Sequence, residues 1–304
     1  MPRQRTIVSE GLRLLLRESG ATARPTVVLV HGYPDTSQVW EDVAVRLRDR
    51  FHVVAYDVRG AGGSDSPAGR EGFTLDHLVN DLGAVIDATS PDRPVHLVGH
   101  DWGSIQSWEA VTTDRLAGRI ASFTSISGPC LDQVGHLSRR QRTSSLRDRG
   151  RFAVQAARSQ YITLFHTPRV PELLWRSGWA GALLFGSLRR RDGVEPRLGH
   201  PAPTLPRDGA QGLELYRANM RERLGRPRER RTDLPVQLIV PTRDGYVTPY
   251  LAEHAPAPWV PNLRVHRLDA GHWVPRTHPA QVADLIASFA GEVEGSTLTP
   301  ASGG

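Results

Sequence analysis

The chain contains no lysine. All 38 of its basic residues are arginine, set against 32 acidic residues for a formal net charge of +6. This reads as the coding bias of a GC-rich genome more than as a binding device. Only one cysteine is present, Cys130, so no intrachain disulfide can form and nothing points to an oxidising compartment. No apolar run approaches the roughly 20 residues that a membrane-crossing helix needs. The opening stretch MPRQRTIVSE lacks the apolar core of a secretory signal, so a soluble cytoplasmic protein is the expectation. A basic surface attracts nucleic acid or acidic membranes, but arginines on a solvated surface are the simpler reading. No aromatic residues interleave with the runs at Arg189–Arg191 and Arg228–Arg231, as single-strand binding requires. No nucleic-acid partner and no membrane span are therefore expected. No internal repeat is visible.

What is present is an alternation of short apolar runs and helical patterns. Residues 1–25 read as a polar strand or hairpin. TVVLV (26–30) is a continuous β-branched run, as in a strand buried on both faces of a parallel sheet. Ser37–Arg50 is helical, with Trp40, Val43 and Leu47 on one face. FHVVAY (51–56) is the next strand, followed by the turn DVRGAGGSD. A helix over 75–89, a strand over 95–98, a helix from Ser104 to about Thr113 and a strand over 120–126 continue the pattern. The pattern then stops. Between about Cys130 and Arg231 there are helical pieces, arginine runs and a Pro/Gly-rich stretch from Gly193 to Gly212 that reads as a mobile loop. PVQLIV (235–240) resumes the sheet, LRVHRL (263–268) adds a strand, and 279–289 forms a last helix. The expectation is a doubly wound α/β fold with a mostly parallel sheet. Its core comprises 1–129 and 232–290, a helical lid covers 130–231, and the tail 291–304 is disordered.

Three segments carry chemistry. In VHLVGHDWGS (95–104), Gly99 and Gly103 flank a tight turn with Asp101 at its tip. This is the shape of a nucleophile elbow with Asp in place of Ser. A carboxylate there can attack an sp³ carbon and form an ester, or it can simply cap the helix that follows. Hydrolysis of such an ester needs a base and an acid to orient it. Asp244, after PVQLIV, and His272, after LRVHRL, supply both in the order nucleophile, acid, histidine. In the loop after TVVLV, HGYP (31–34), the Tyr33 N–H is placed to meet that of Trp102 on one ester oxygen; the alternative is an ordinary strand-ending turn.

HGYP, DVRGAGGSD, GHDWG, the Asp244 loop and GHW (271–273) together resemble the epoxide hydrolase branch of the α/β-hydrolase superfamily, over about residues 5–290. FTSISGPCLDQVGH (123–136) further resembles actinobacterial epoxide hydrolase domains that are often fused to a short-chain dehydrogenase; no such second domain follows here, so a reductase role is not carried over. The resemblance implies two lid tyrosines that donate to the ring oxygen. Tyr161, in SQYITLFH, matches the first. Tyr216, in LELYRANM, matches the second with one extra residue, Ala218; packing roles remain the alternative for both. An opened epoxide leaves an alkoxide that a phenol can protonate. A departing halide needs only N–H donors, of which Trp102 is one candidate. His31, Pro34, Trp102, Phe165 and Trp273 are read as substrate-binding, and Leu164, Trp175 and Trp179 as further signs of an apolar ligand. The resemblance thus implies hydrolysis of a small apolar epoxide to a vicinal diol through an aspartyl ester. It leaves open a haloalkane or haloacid dehalogenase with the same nucleophile, and a noncatalytic or cyclisation-directing pocket protein. No cofactor and no metal enter this reading, and a homodimer is left open.

Overall fold

The continuous apolar runs become strands buried on both faces. The computed structural model describes residues 2–298. Among these residues eight strands, β1 (Arg3–Ser9), β2 (Leu12–Ser19), β3 (Thr26–Val30), β4 (His52–Tyr56), β5 (Val95–His100), β6 (Ile120–Ile126), β7 (Val236–Pro241) and β8 (Leu263–Leu268), form one sheet. Their order is β1-β2-β4-β3-β5-β6-β7-β8. The first two make the expected hairpin and pair antiparallel to their neighbours; β4, β3, β5, β6, β7 and β8 all run parallel.

Side chains alternate across a strand, and the two apolar layers record this. Val28 and Val30 of β3 and Val54 and Tyr56 of β4 enter one core, with helices α2 (Leu75–Thr89) and α3 (Trp102–Val111). Val27, Leu29, Val53 and Ala55 enter the other, with α1 (Glu41–Leu47), α11 (Val274–Thr277) and α12 (Pro279–Leu298). Neither face of the central strands can meet water, so neither can carry polar alternation.

Several boundaries differ from the sequence reading. The helix expected from Ser37 begins as a 3-10 turn over Ser37–Trp40, with Ser37 N–H and Oγ both donating to Asp57 Oδ1. The last helix does not stop at Phe289. It runs to Leu298, so 291–298 of the expected disordered tail is helical, while 299–304 lie outside the described residues. Weak helix formers such as Gly295 are carried by tertiary contacts: Glu294 meets His96 Nε2 at 3.1 Å, and Glu292 pairs with Arg264.

Between β6 and β7 lie α4 (Leu131–Arg140), α5 (Leu146–Arg158), α6 (Tyr161–Phe165), α7 (Val170–Arg176), α8 (Trp179–Asp192) and α9 (Leu205–Gly225). A short α10 (Pro249–His254) follows β7. The stretch 193–212 is not one loop: from Leu205 onward it is helix α9. The remainder is pinned to the core by His200, whose Nε2 bonds Asp35 Oδ1 at 2.8 Å, and by Arg197, which pairs with Asp42.

A buried quartet of charges ties this region to the sheet domain. Arg223 of α9 and Arg230 both donate to Glu109 Oε1 of α3, at 3.0 and 2.7 Å, and both reach Asp132 Oδ2 of α4 at 3.2 Å. Two carboxylates and two guanidiniums balance, which makes burial tolerable. Removing one charge leaves the others uncompensated. Glu109→Gln should lower the free energy of unfolding by about 3–5 kcal/mol, read from urea denaturation; an unchanged midpoint and slope would show that the quartet contributes nothing as a charge network.

Candidate active site

Parallel strands deliver their following loops to one edge, and four such loops meet here. Asp101 follows β5 with φ of +52°, a conformation disfavoured for a side chain with a Cβ. The surroundings impose it. Gly103 lies so close to β3 that a Cβ there would collide with the Val30 carbonyl oxygen. The N–H groups of Ser104 and Ile105 both close onto the Asp101 carbonyl, at 2.9 and 3.0 Å.

Asp101 occupies the N-cap position of α3, yet its side chain makes no capping hydrogen bond. The carboxylate turns outward instead. Oδ1 accepts the Tyr33 N–H at 2.7 Å, and Oδ2 lies 3.6 Å from His272 Nε2. Gly32 makes this approach possible, since a Cβ there would overlap Asp101 Oδ1. Of the two amides expected on one oxygen, that of Tyr33 is thus already engaged. Trp102 is the first residue of α3, where no helical carbonyl can accept its N–H.

His272 Nδ1 meets Asp244 Oδ2 at 2.9 Å, and Asp244 Oδ1 accepts the N–H groups of Tyr246 and Val247 at 2.7 and 3.0 Å. Burial opposes the His272 imidazolium, but the charges of Asp244 and Asp101 and their hydrogen bonds outweigh it and raise its pKa to about 10. Burial likewise works against the Asp244 carboxylate, yet the His272 charge and the two amides hold it below the ordinary aspartate range. His100 anchors the histidine loop by donating from Nε2 to the His272 carbonyl at 2.9 Å. Burial, with the His272 charge, pushes its own pKa down to about 4 and keeps the ring neutral.

Two apolar chambers of about 300 and 230 Å³ meet at Asp101. Asp101, Tyr161, Tyr216 and Tyr246 line both. Tyr161 opens α6 and Tyr216 sits within α9, their ring centres 6.3 Å apart. Burial raises both phenol pKa values, and the Asp101 charge adds to this, so both keep their protons at neutral pH. Pro34, Phe165 and Trp273 line the first chamber and Trp102 the second.

Two expectations are corrected. His31 does not face either chamber. Its Nδ1 engages the Gly32 carbonyl and its Nε2 accepts the Val58 N–H, both at 2.9 Å, so the ring braces the loops after β3 and β4. Trp179 lines neither chamber and is 67% exposed. Sequence reasoning also missed residues. Tyr246 packs on the His272 ring at 4.9 Å; its position two residues after Asp244 was the available signal. Asp35 and His200, which hold the Trp273 indole in place through Asp35 Oδ2 at 2.8 Å, gave no signal, because 165 residues separate them. Among the described residues no group of three or more His, Cys, Asp or Glu is placed to hold a metal ion.

The raised His272 pKa couples stability to pH. The folded state binds this proton more tightly than the unfolded chain, whose histidine titrates near 6.5. The resulting stabilisation is complete below pH 6.5 and is lost as pH rises through about 10. Asp244→Asn removes the largest contribution that raises the pKa. Urea titrations between pH 6 and 10 should show the wild-type unfolding free energy declining across the window, with a flatter profile in the variant. Parallel profiles would mean that His272 is not charged by this array.

The chain is similar to known proteins along nearly its whole length. It is 37% identical over 295 residues to a Mycobacterium tuberculosis protein named "Probable oxidoreductase EphD", covering 94% of this chain and 49% of that one; the chain thus spans about half the length of this relative. It is 27% identical over 294 residues to "Epoxide hydrolase 3" of Mus musculus, covering 93% and 75% of the two chains. The crystal structure of Bacillus megaterium epoxide hydrolase with an inhibitor superposes with a TM-score of 0.78 at 24% identity, covering 94% of this chain and all of that one. The model of the alpha/beta hydrolase fold family matches residues 25–279. With its parallel sheet and an acid–histidine–acid array at the strand ends, the chain belongs to the α/β-hydrolase fold family.

Proposed function

We propose that this protein is an epoxide hydrolase, converting an epoxide and water into a vicinal diol through an ester on Asp101. The observation that carries the reading is the convergence of two phenols, from separate helices, on the chambers that hold this carboxylate. Helices α4–α9 then form the lid that brings them there. The name "Epoxide hydrolase 3" of the mouse relative supports the reading; the "oxidoreductase" in EphD's name is said of a protein about twice as long and is not carried over.

The chemistry follows from the geometry. Oδ1 of Asp101 is held on the Tyr33 amide, which leaves Oδ2 to attack a ring carbon. The carbon–oxygen bond breaks, and Tyr161 or Tyr216 gives its proton to the departing oxygen. Neutral phenols suit this, and both tyrosines are kept neutral. The Tyr33 phenol is not available, because it donates to the Gly209 carbonyl at 2.8 Å.

Ester formation also changes His272. While Asp101 is charged, the imidazole holds an extra proton. Esterification removes that charge and two of the four contributions that raise the pKa. His272 then releases the proton, which restores the tyrosine that gave up its own, and serves as general base toward water, still oriented by Asp244. Water attacks the ester carbonyl, the oxyanion forms against the Tyr33 and Trp102 amides, and the diol leaves. Apolar chambers on both sides of Asp101 suit an epoxide with apolar groups on either carbon.

Replacing both tyrosines by Phe keeps the packing and removes only the donors. General acid help amounts to about 10²–10⁴-fold, so each single variant should alkylate about tenfold or more slowly, and the double variant should scarcely open epoxides. In His272→Gln the first step should survive and the ester should accumulate, visible as enzyme plus substrate by intact-mass spectrometry. Asp101→Asn should give no adduct. Wild-type epoxide turnover in a folded double tyrosine variant, with turnover of bromoalkanes, would put the dehalogenase reading ahead. Absence of any adduct in His272→Gln would favour a noncatalytic pocket.

A further inference from the structure

The outer face of α7 and α8 is unusual for a soluble surface. Leu173, Trp179 and Leu183 are 65%, 67% and 64% exposed, and Leu164, Val170 and Leu174 are exposed beside them. Helical spacing groups them: Val170 with Leu173 and Leu174 on α7, and Trp179 with Leu183 on α8. Contiguous exposed apolar residues of this kind mark an interaction site. Leu164, Leu174 and Leu183 also line the first chamber, so the patch surrounds the mouth of that chamber.

The charge around the patch is net positive. Residues 169–192, which span α7 and α8, carry five arginines against two acidic residues, Glu172 and Asp192. Glu172 is already committed to Arg217 at 2.6 Å, and Arg189 is paired with Glu195 at 3.1 Å. Arg169 and Arg176 flank the apolar face of α7 and are exposed. Arg190 lies eleven residues after Trp179, three turns along the same stripe of α8.

We infer that this face docks onto an anionic lipid bilayer, with aliphatic side chains and Trp179 entering the headgroup–acyl boundary and the arginines pairing with lipid phosphates. The long arginine stems let their charged ends stay at headgroup level while the apolar residues insert. A nucleic-acid site would instead need aromatic rings interleaved with the arginines, and here the exposed apolar residues are mostly aliphatic. The chamber mouth then faces the membrane. That apolar epoxides enter from the acyl phase rests on the hydrolase reading; the docking itself does not.

Cosedimentation of the full chain with vesicles tests this. The protein should pellet with vesicles made of equal parts phosphatidylglycerol and phosphatidylcholine, stay in solution with phosphatidylcholine alone, and be released by high salt. The double variant Leu173→Glu, Trp179→Glu changes exposed residues that line neither chamber. It should bind mixed vesicles at least about tenfold more weakly and still turn over a water-soluble epoxide at the wild-type rate. Arg176→Glu with Arg190→Glu provides a second, independent variant. Asp101→Asn should pellet like the wild type, which keeps failure of the docking distinct from failure of the proposed chemistry. A wild-type protein that stays in solution with mixed vesicles, variants that bind as well as wild type, or tighter binding to a single-stranded oligonucleotide than to vesicles would each overturn the inference.

Discussion

The site depends on one carboxylate held where a carboxylate is costly. The Asp101 side chain is only 15% exposed and opens onto apolar chambers. An ionised group there needs partners, and it has two, the Tyr33 amide on Oδ1 and His272 toward Oδ2. Both partners are set by the sheet. Tyr33 follows β3 and His272 follows β8, and parallel pairing brings these loops to the edge where β5 ends. The bent turn at Asp101, the missing side chain at Gly32 and the close packing of Gly103 on β3 all serve this single placement.

The carboxylate also sets the protonation of its neighbours. Its charge helps to hold a proton on His272 and adds to the burial that raises the pKa values of Tyr161 and Tyr216. In the proposed reaction that charge is consumed, so a proton donor would be present before the first bond forms and a base only after it. Asp244 stays outside this exchange, because its two backbone amides and His272 hold it ionised throughout.

Much of this was legible in the sequence. A strand buried on both faces must be continuously apolar, so TVVLV, FHVVAY and PVQLIV announced a parallel sheet, and residues just past such strands pointed to the edge where the candidate site lies. Asp101, Asp244 and His272 could be read together because each stood in that position. His31 stood there too, and misled. A histidine after a strand has the same signature whether it faces a cavity or braces a backbone, and its decisive partner, the Val58 N–H, comes from another loop. Trp179 misled because aromatic content does not say which side of a helix faces outward. The helical stretch 291–298 was hidden because its support lies in His96 and Arg264, far away in sequence.

The central claim is that Asp101 becomes covalently bonded to substrate and that water then attacks the enzyme's own carbonyl carbon. A single turnover in heavy-oxygen water, with excess enzyme and a reactive epoxide, tests it directly. If the claim holds, one carboxylate oxygen of Asp101 leaves in the diol and solvent oxygen replaces it. The peptide containing Asp101 should then carry the label, and the diol from that first turnover should carry none. Label found only in the diol, with an unlabelled Asp101 peptide, would mean that water attacks the epoxide directly and would contradict the account.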